Sequence, residues 1–297
     1  MLASGSATFC DGAAAPMHRL EARMPGSDDL VAGAPAWVDL TTTDLDGAID
    51  FYTRVFGWTA DRSADERYGG YTTFLLDGKR VAGAGSRSDD DPSPPHWSVY
   101  LLTWNAAATS ERIAEAGGTV LFEPIDIPEM GVMGLAIDAT GAVVGYWQPG
   151  GLPGFDAFDE TGAATRFELA ASDFDAAERF YAHAFHWDIE HGEGEPRYAV
   201  YRHAGRTFAR ILDAAELLGA DLPPSWHVGF QVDDIEATVA RAVAAGGTLV
   251  VPPWDVPDGR RAGLSDPSGA YFVVASPTAA TSEPAASAAS ATPETAG

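Results

Sequence analysis

The chain has little positive charge to offer. Its 297 residues include 18 basic side chains against 43 acidic ones, a formal charge of −25, and Lys79 is the single lysine. That deficit argues against a nucleic-acid partner, because binding to phosphates draws on Lys and Arg to release counterions. An anionic membrane surface would repel the chain for the same reason. Cysteine is almost missing: Cys10 stands alone, so no internal disulfide can form, which fits a reducing cytoplasm. No run of 18 apolar residues occurs, so no bilayer-spanning helix is expected. The N-terminus lacks the basic start and continuous apolar stretch of a signal peptide. Nor does the chain contain a phosphate-loop glycine spacing or a Gly-x-Ser-x-Gly elbow, which weighs against nucleotide binding and serine hydrolysis.

What is present begins after a low-complexity start. Residues 1–33 are rich in Ala, Gly, Ser and Asp, and residues 278–297 are almost only Ala, Thr, Ser, Pro and Glu. Neither stretch holds enough apolar surface to offset the entropy of ordering, so both are expected to be disordered tails. Between them lies a tandem repeat. Trp37-Val38-Asp39-Leu40 returns as Arg166-Phe167-Glu168-Leu169, Phe51-Tyr52 as Phe180-Tyr181, and Trp58 as Trp187. Trp97 returns as Trp226, and Ala116-Gly117-Gly118-Thr119 as Ala245-Gly246-Gly247-Thr248, each pair at an offset of 129 with no gap expected between them. The reading is two domains, 34–149 and 163–277, joined by a turn-rich linker at 150–162.

Inside each half a strand-then-helix pattern occurs twice. Residues 36–42 and 165–171 alternate as half-buried strands do. Asp44 and Asp173 stand at N-cap positions, and apolar residues at helical spacing follow. Second strands are expected at 97–103 and 226–232, with helices at 105–116 and 234–245 that end on glycine pairs. Last strands fall at 142–148 and 270–275, so each half reads βαβββ twice.

This pattern resembles the vicinal oxygen chelate superfamily of glyoxalase I, extradiol dioxygenases and bleomycin-resistance proteins. The resemblance rests on Asp44-Leu45-Asp46-Gly47-Ala48 running into Phe51-Tyr52 and Phe56-Gly57-Trp58, with Asp173 to Trp187 as the second copy. His227 to Asp234 and Leu264-Ser265-Asp266-Pro267-Ser268-Gly269 add two more motifs. Within the superfamily the chain looks most like two-domain glyoxalase-like proteins of actinobacterial type. The resemblance implies an α+β fold, a tandem duplication of glyoxalase/bleomycin-resistance-type domains in which βαβββ modules form curved sheets around a cavity. Alternation then assigns faces. Val38, Leu40, Phe167 and Leu169 belong to the core; Trp37, Asp39, Arg166, Glu168, Ser98, Tyr100, His227, Gly229 and Gln231 face the cavity. Trp58, Trp97, Trp187 and Trp226 are core.

The resemblance also implies where a divalent metal would be held: on the first, fifth and eighth strands of a half. Those slots carry Trp37, Ser98 and Gly145 in one half and Arg166, His227 and Val273 in the other. Only His227 is a metal-ligand type, so no metal cofactor is expected, and a metal-dependent glyoxalase or dioxygenase with rearranged ligands ranks third among the readings.

The candidates for chemistry are therefore His227, Asp39 and Glu168. A histidine suits proton transfer near neutral pH, with Asp39 or Glu168 to orient it, according to which half supplies the first strand. The plainer reading makes both carboxylates salt-bridge partners of Arg166 or Arg210. Trp37, Tyr100, Trp147, Arg166, Gln231 and Tyr271 are the ligand-binding candidates, lining an aromatic pocket for a flat or oxygenated organic molecule. The leading expectation is a metal-independent lyase, isomerase or cyclase with a histidine base. Its rival is a non-catalytic module that sequesters an antibiotic or metabolite. The expected partner is a small molecule, with the chain a monomer of internal pseudo-two-fold symmetry or a homodimer.

Overall fold

A computed structural model describes residues 30–277 apart from 89, 219–221 and 257. The first half contains β1 (Pro35–Thr42), α1 (Leu45–Phe56), β2 (Thr59–Arg62), β3 (Thr72–Leu76) and β4 (Lys79–Ser86). A second module of the same order follows: β5 (His96–Leu102), α2 (Ala106–Glu115), β6 (Thr119–Ile127), β7 (Gly131–Ile137) and β8 (Val143–Pro149). They make one eight-stranded sheet in the order β2-β3-β4-β1-β5-β8-β7-β6, not closed into a barrel.

The second half repeats this with β9 (Ala164–Ala171), α3 (Phe174–Phe185), β10 (Ile189–His191), β11 (Tyr198–His203) and β12 (Arg206–Asp213). After a single turn, α4 (Ala215–Leu218), come β13 (Ser225–Gln231), α5 (Ile235–Ala244), β14 (Thr248–Val256), β15 (Gly259–Ser265) and β16 (Tyr271–Pro277). Its order, β10-β11-β12-β9-β13-β16-β15-β14, matches the first strand for strand. Each sheet, and the concave face it carries, is thus built from one half alone. No helix among the described residues is long and apolar enough to cross a membrane.

The helices start where their caps dictate. Asp44, Asn105, Asp173 and Asp234 each accept a hydrogen bond from the backbone N–H three residues on. Glycines release three of them: Gly57 (φ +75) after α1, Gly117 (φ +86) after α2 and Gly246 (φ +95) after α5 take the left-handed conformation.

The two sheets share one interior. Val38, Leu40, Phe167 and Leu169 lie in a single continuous apolar cluster, together with Trp58, Trp97, Trp187 and Trp226. Helix α1 carries rings across the boundary: Phe51 meets Phe272 edge-on at 6.2 Å, and Phe56 meets Phe230 at 5.1 Å. Polar contacts repeat the symmetry. The Tyr52 hydroxyl donates to buried Asp266 of the other half at 3.2 Å, and Tyr181 donates to buried Asp138 at 2.9 Å. Trp97 and Trp226 donate in turn to those two hydroxyls.

Two expectations need correction. Residues 30–33, expected within a disordered leader, are held by the second half: Trp187 Nε1 donates to the Gly33 carbonyl at 2.9 Å, and the Tyr201 hydroxyl donates to that of Ala32 at 2.7 Å. Residues 1–29, Cys10 among them, and 278–297 lie outside the described residues. The repeat is also not gapless. Asp39 pairs with Gly83 where Glu168 pairs with Arg210, so the offset falls to 127 in the β3–β4 hairpin before returning to 129. The linker, read from sequence as a turn-rich joint, is held by both halves. Phe155 N–H donates to the Ala36 carbonyl, Arg80 holds Asp156, and Trp58 Nε1 donates to the Gly162 carbonyl at 2.7 Å.

Candidate functional site

A cavity of about 350 Å³ opens on the concave face of the first sheet. Alternation along β1 points Trp37 and Asp39 into it while Val38 and Leu40 enter the core. Tyr100 on β5 and Trp147 on β8 continue the floor; Ile127, Met130, Met133 and the linker residue Leu152 form an apolar wall. Trp147 is fixed by donating its Nε1 proton to the Leu152 carbonyl at 2.8 Å, and Phe155 tilts against Trp37 at 5.6 Å. At the open rim stand the polar side chains of Asp61 and Ser63.

The chemistry of the cavity concentrates on Asp39. Its Oδ1 accepts from Trp37 Nε1 at 2.8 Å and from the Tyr71 hydroxyl at 2.5 Å, while Trp37 Nε1 also reaches the Tyr71 oxygen at 2.9 Å. The carboxylate opens partly to the cavity, yet protein surrounds it closely, and that burial pushes its pKa up to about 6. The hydrogen bonds from Tyr71 and Trp37, with the nearby Tyr100 hydroxyl, work the other way and hold it below what burial alone would give. Burial and the adjacent carboxylate push Tyr71 and Tyr100 well above the usual tyrosine value, so both remain protonated donors near neutral pH. Removing one donor therefore has a definite sign. Tyr71→Phe is expected to raise the Asp39 pKa further, by about one unit for a lost charge-assisted hydrogen bond. Carbonyl-labelled carboxylate NMR would register this, and an unchanged or lower value would contradict the arrangement.

Tyr71 reaches Asp39 because Gly83 leaves room. A Cβ at Gly83 would lie 1.8 Å from the Tyr71 oxygen and 2.2 Å from Asp39 Oδ1. Gly145 does the same for Tyr100, whose ring would meet a Cβ there at 2.3 Å. Sequence reasoning missed Tyr71, Gly83 and the methionine wall. A signal existed for the second of these: a glycine inside a strand marks close approach by a neighbour.

The other candidates lie elsewhere. His227 is on the second sheet, directly across from Glu168 and not near Asp39, so those two do not form one constellation. Its Nε2 shares a hydrogen bond with Ser225 Oγ at 3.0 Å, its ring meets Tyr271 edge-on at 5.1 Å, and burial lowers its pKa against the opposing pull of Glu168. Glu168 approaches Arg210 at 3.6 Å and Arg261 at 3.9 Å, whereas Arg166 binds Asp258 at 2.7 Å. Asp39 is paired with neither Arg166 nor Arg210, because both arginines belong to the second sheet. Its partners are the aromatic donors instead. Gln231 ends β13 beside Gly162 and Asp233 in a separate shallow groove. The expected single aromatic pocket is thus divided, with Trp37, Tyr100 and Trp147 on one sheet and Arg166 and Tyr271 on the other.

The residues present do not suit a divalent ion. Among the described residues no group of three His, Cys, Asp or Glu is placed to hold one. Asp39 is engaged by aromatic donors, Gly145 on β8 has no side chain to offer a ligand atom, and His227 and Glu168 share their sheet face with three arginines, whose charge repels a cation.

Comparison with known proteins agrees with this fold. Residues 34–144 and 163–274 each match the model of the Glyoxalase/Bleomycin resistance protein/Dioxygenase superfamily. The anthracycline biosynthesis protein DnrV of Streptomyces peucetius is 37% identical over 256 residues, 82% of this chain and 92% of that protein. CFP32 of Mycobacterium tuberculosis, provisionally named a glyoxylase, is 37% identical over 266 residues, 86% of this chain and 98% of that one. Among solved structures, the Mn(II)-bound glyoxalase from Novosphingobium aromaticivorans superposes with a TM-score of 0.59 at 16% identity, covering 82% of each chain. The 2,3-dioxygenase LapB from Pseudomonas sp. KL28 gives 0.56 at 13% identity, over 84% of this chain and 93% of that one. With both halves matched and relatives of this identity along most of its length, the chain belongs to the Glyoxalase/Bleomycin resistance protein/Dioxygenase superfamily.

Proposed function

We propose that this chain is a metal-independent, glyoxalase-like enzyme that binds a flat, oxygenated aromatic molecule in the first cavity and moves a proton on it with Asp39. The observation that carries the reading is a carboxylate with a pKa of about 6, set among Trp37, Tyr71 and Tyr100 on the floor of an otherwise apolar cavity. Such a group is ionised at neutral pH yet basic enough to accept a proton from carbon. The ligand class is supported by the aromatic lining and by the name of the relative DnrV, which places that protein in anthracycline biosynthesis. His227, the base expected from sequence, gives way to Asp39 because burial lowers its pKa and makes it a weaker base, and its strand neighbour Glu168 stands beside Arg210 and Arg261 instead of an apolar wall.

In the proposed step a C–H bond next to a ligand carbonyl breaks. The proton passes to the Asp39 carboxylate, and the electron pair moves onto the carbonyl oxygen as an enolate. Once Asp39 is protonated it no longer demands the Tyr71 and Tyr100 protons, and those hydroxyls can turn to donate to that oxyanion. Return of the proton to a different carbon, or loss of a leaving group, would complete an isomerisation or an elimination.

The test uses 2-tetralone in deuterated buffer. Tryptophan quenching reports binding, and proton NMR follows deuterium exchange next to the carbonyl. Exchange that the protein accelerates and that Asp39→Asn abolishes without weakening binding supports the reading. Quenching with no accelerated exchange would instead make the chain a sequestering protein.

A further inference from the structure

The second sheet carries a different set of side chains on the face that corresponds to the cavity. Strand registers fix the correspondence: Arg166 occupies the position of Trp37, Arg210 that of Gly83, and Arg261 that of Met133. Three positions that make the first cavity aromatic and apolar are all arginine in the second, within a chain of charge −25. Two carboxylates, Glu168 and Asp258, only partly neutralise them. Glu168 stands 3.6 and 3.9 Å from its two guanidiniums, too far for full hydrogen bonds. Three cations against two anions leave one positive charge.

The arginines also retain unused donors. Arg261 is only 8% exposed, and its Nε has no hydrogen-bond partner among the described residues; the buried Nε of Arg166 has none either. A buried guanidinium donor left unmatched is costly, and planar forks of this kind match a carboxylate with two parallel bonds. Burial and the neighbouring Arg166 both press the Arg261 pKa down, as crowding of like charges requires. The floor beside them is aromatic, made by the His227 and Tyr271 rings. Gly229, where the first sheet has Tyr100, lets the Arg166 stem lie close, since a Cβ there would meet Arg166 Cβ at 3.0 Å.

We infer that the concave face of the second sheet is a binding site for an aromatic carboxylate, gripped by Arg166, Arg210 and Arg261 and packed on His227 and Tyr271. The residual single positive charge matches one carboxylate. A phosphate dianion would leave the site net negative beside Glu168 and Asp258. This site is separate from the Asp39 cavity and does not depend on the reaction proposed there.

Titration calorimetry on the full chain tests it with benzoate, its neutral analogue benzamide and inorganic phosphate. Saturable benzoate binding at one site per chain is expected. Benzamide should bind about tenfold or more weakly, as loss of a charge-assisted hydrogen bond implies. Arg166→Gln should weaken benzoate by a similar factor, whereas Arg54→Gln, which removes an exposed charge on α1, should leave it unchanged. If Arg166→Gln melts early, Arg210→Gln serves in its place. Absent benzoate binding, equal affinity for benzamide, tighter phosphate binding, or indifference to both arginine variants would each overturn the assignment.

Discussion

Asp39→Asn is expected to make the protein more stable at neutral pH while removing its proton-transfer chemistry. The asparagine oxygen can still accept from Trp37 and Tyr71, so the geometry is retained, but a charge no longer has to be held in a buried place. The sign follows from linkage. A carboxyl whose folded pKa is raised from 3.8 to about 6 favours the fold while protonated; that contribution is complete below pH 4 and is lost as pH rises through 6. The gap converts to roughly 3 kcal/mol, and the partial opening of Asp39 to the cavity reduces the expected gain to about 1–3 kcal/mol. Denaturation of both proteins across pH 4–8 checks this. The difference should be absent near pH 4 and reach its full size above pH 7. A gain independent of pH would mean that the buried charge is not its source, and a loss at neutral pH would contradict the assigned burial.

Phe272→Ala should destabilise both halves together, although Phe272 belongs to the second. Its ring meets Phe51, Tyr52 and Phe56 of the first half at 5.7–6.2 Å and Phe230 of its own at 6.1 Å. Truncating a fully buried phenylalanine costs about 3–5 kcal/mol. The cost should appear as one shifted unfolding transition, because one apolar cluster spans both sheets. Fluorescence and far-UV circular dichroism should therefore give coincident curves. For the same reason residues 30–150 expressed alone should fail to fold cooperatively, since α1 would present Phe51 and Phe56 to water. Two resolved transitions, or a folded isolated half, would show that the shared interior contributes little.

The sequence made the fold readable where signals were periodic and doubled. Asp44 and Asp173 marked helix starts, Gly117 and Gly246 marked helix ends, and alternation about Val38 and Phe167 separated core from concave face, because backbone geometry imposes those patterns locally. The candidate site was legible only in part. Trp37, Asp39, Tyr100 and Trp147 sit on strands whose parity could be counted, and the structure brings them together. Tyr71 follows two glycines of positive φ in a loop, where parity has no meaning, and the two-residue slip in the hairpin hid its counterpart Tyr198. Nor could alternation reveal which strands adjoin. It placed His227 and Asp39 on inward faces, but only hydrogen-bonded strand order shows that those faces belong to different sheets.

The segment between the halves serves as strap and wall at once. Leu152 lines one side of the first cavity with Phe155 packed behind Trp37, and further along Gly162 donates its backbone N–H to the Gln231 carbonyl of the second sheet. Arg80 and Trp58 pin the stretch between and beyond them, so it has no slack to give. A ligand too wide for the first cavity would have to pull on the cord that feeds the second sheet. A wall anchored at both ends is a stiff one, so the position of Leu152 beside the cavity is fixed by contacts made outside it.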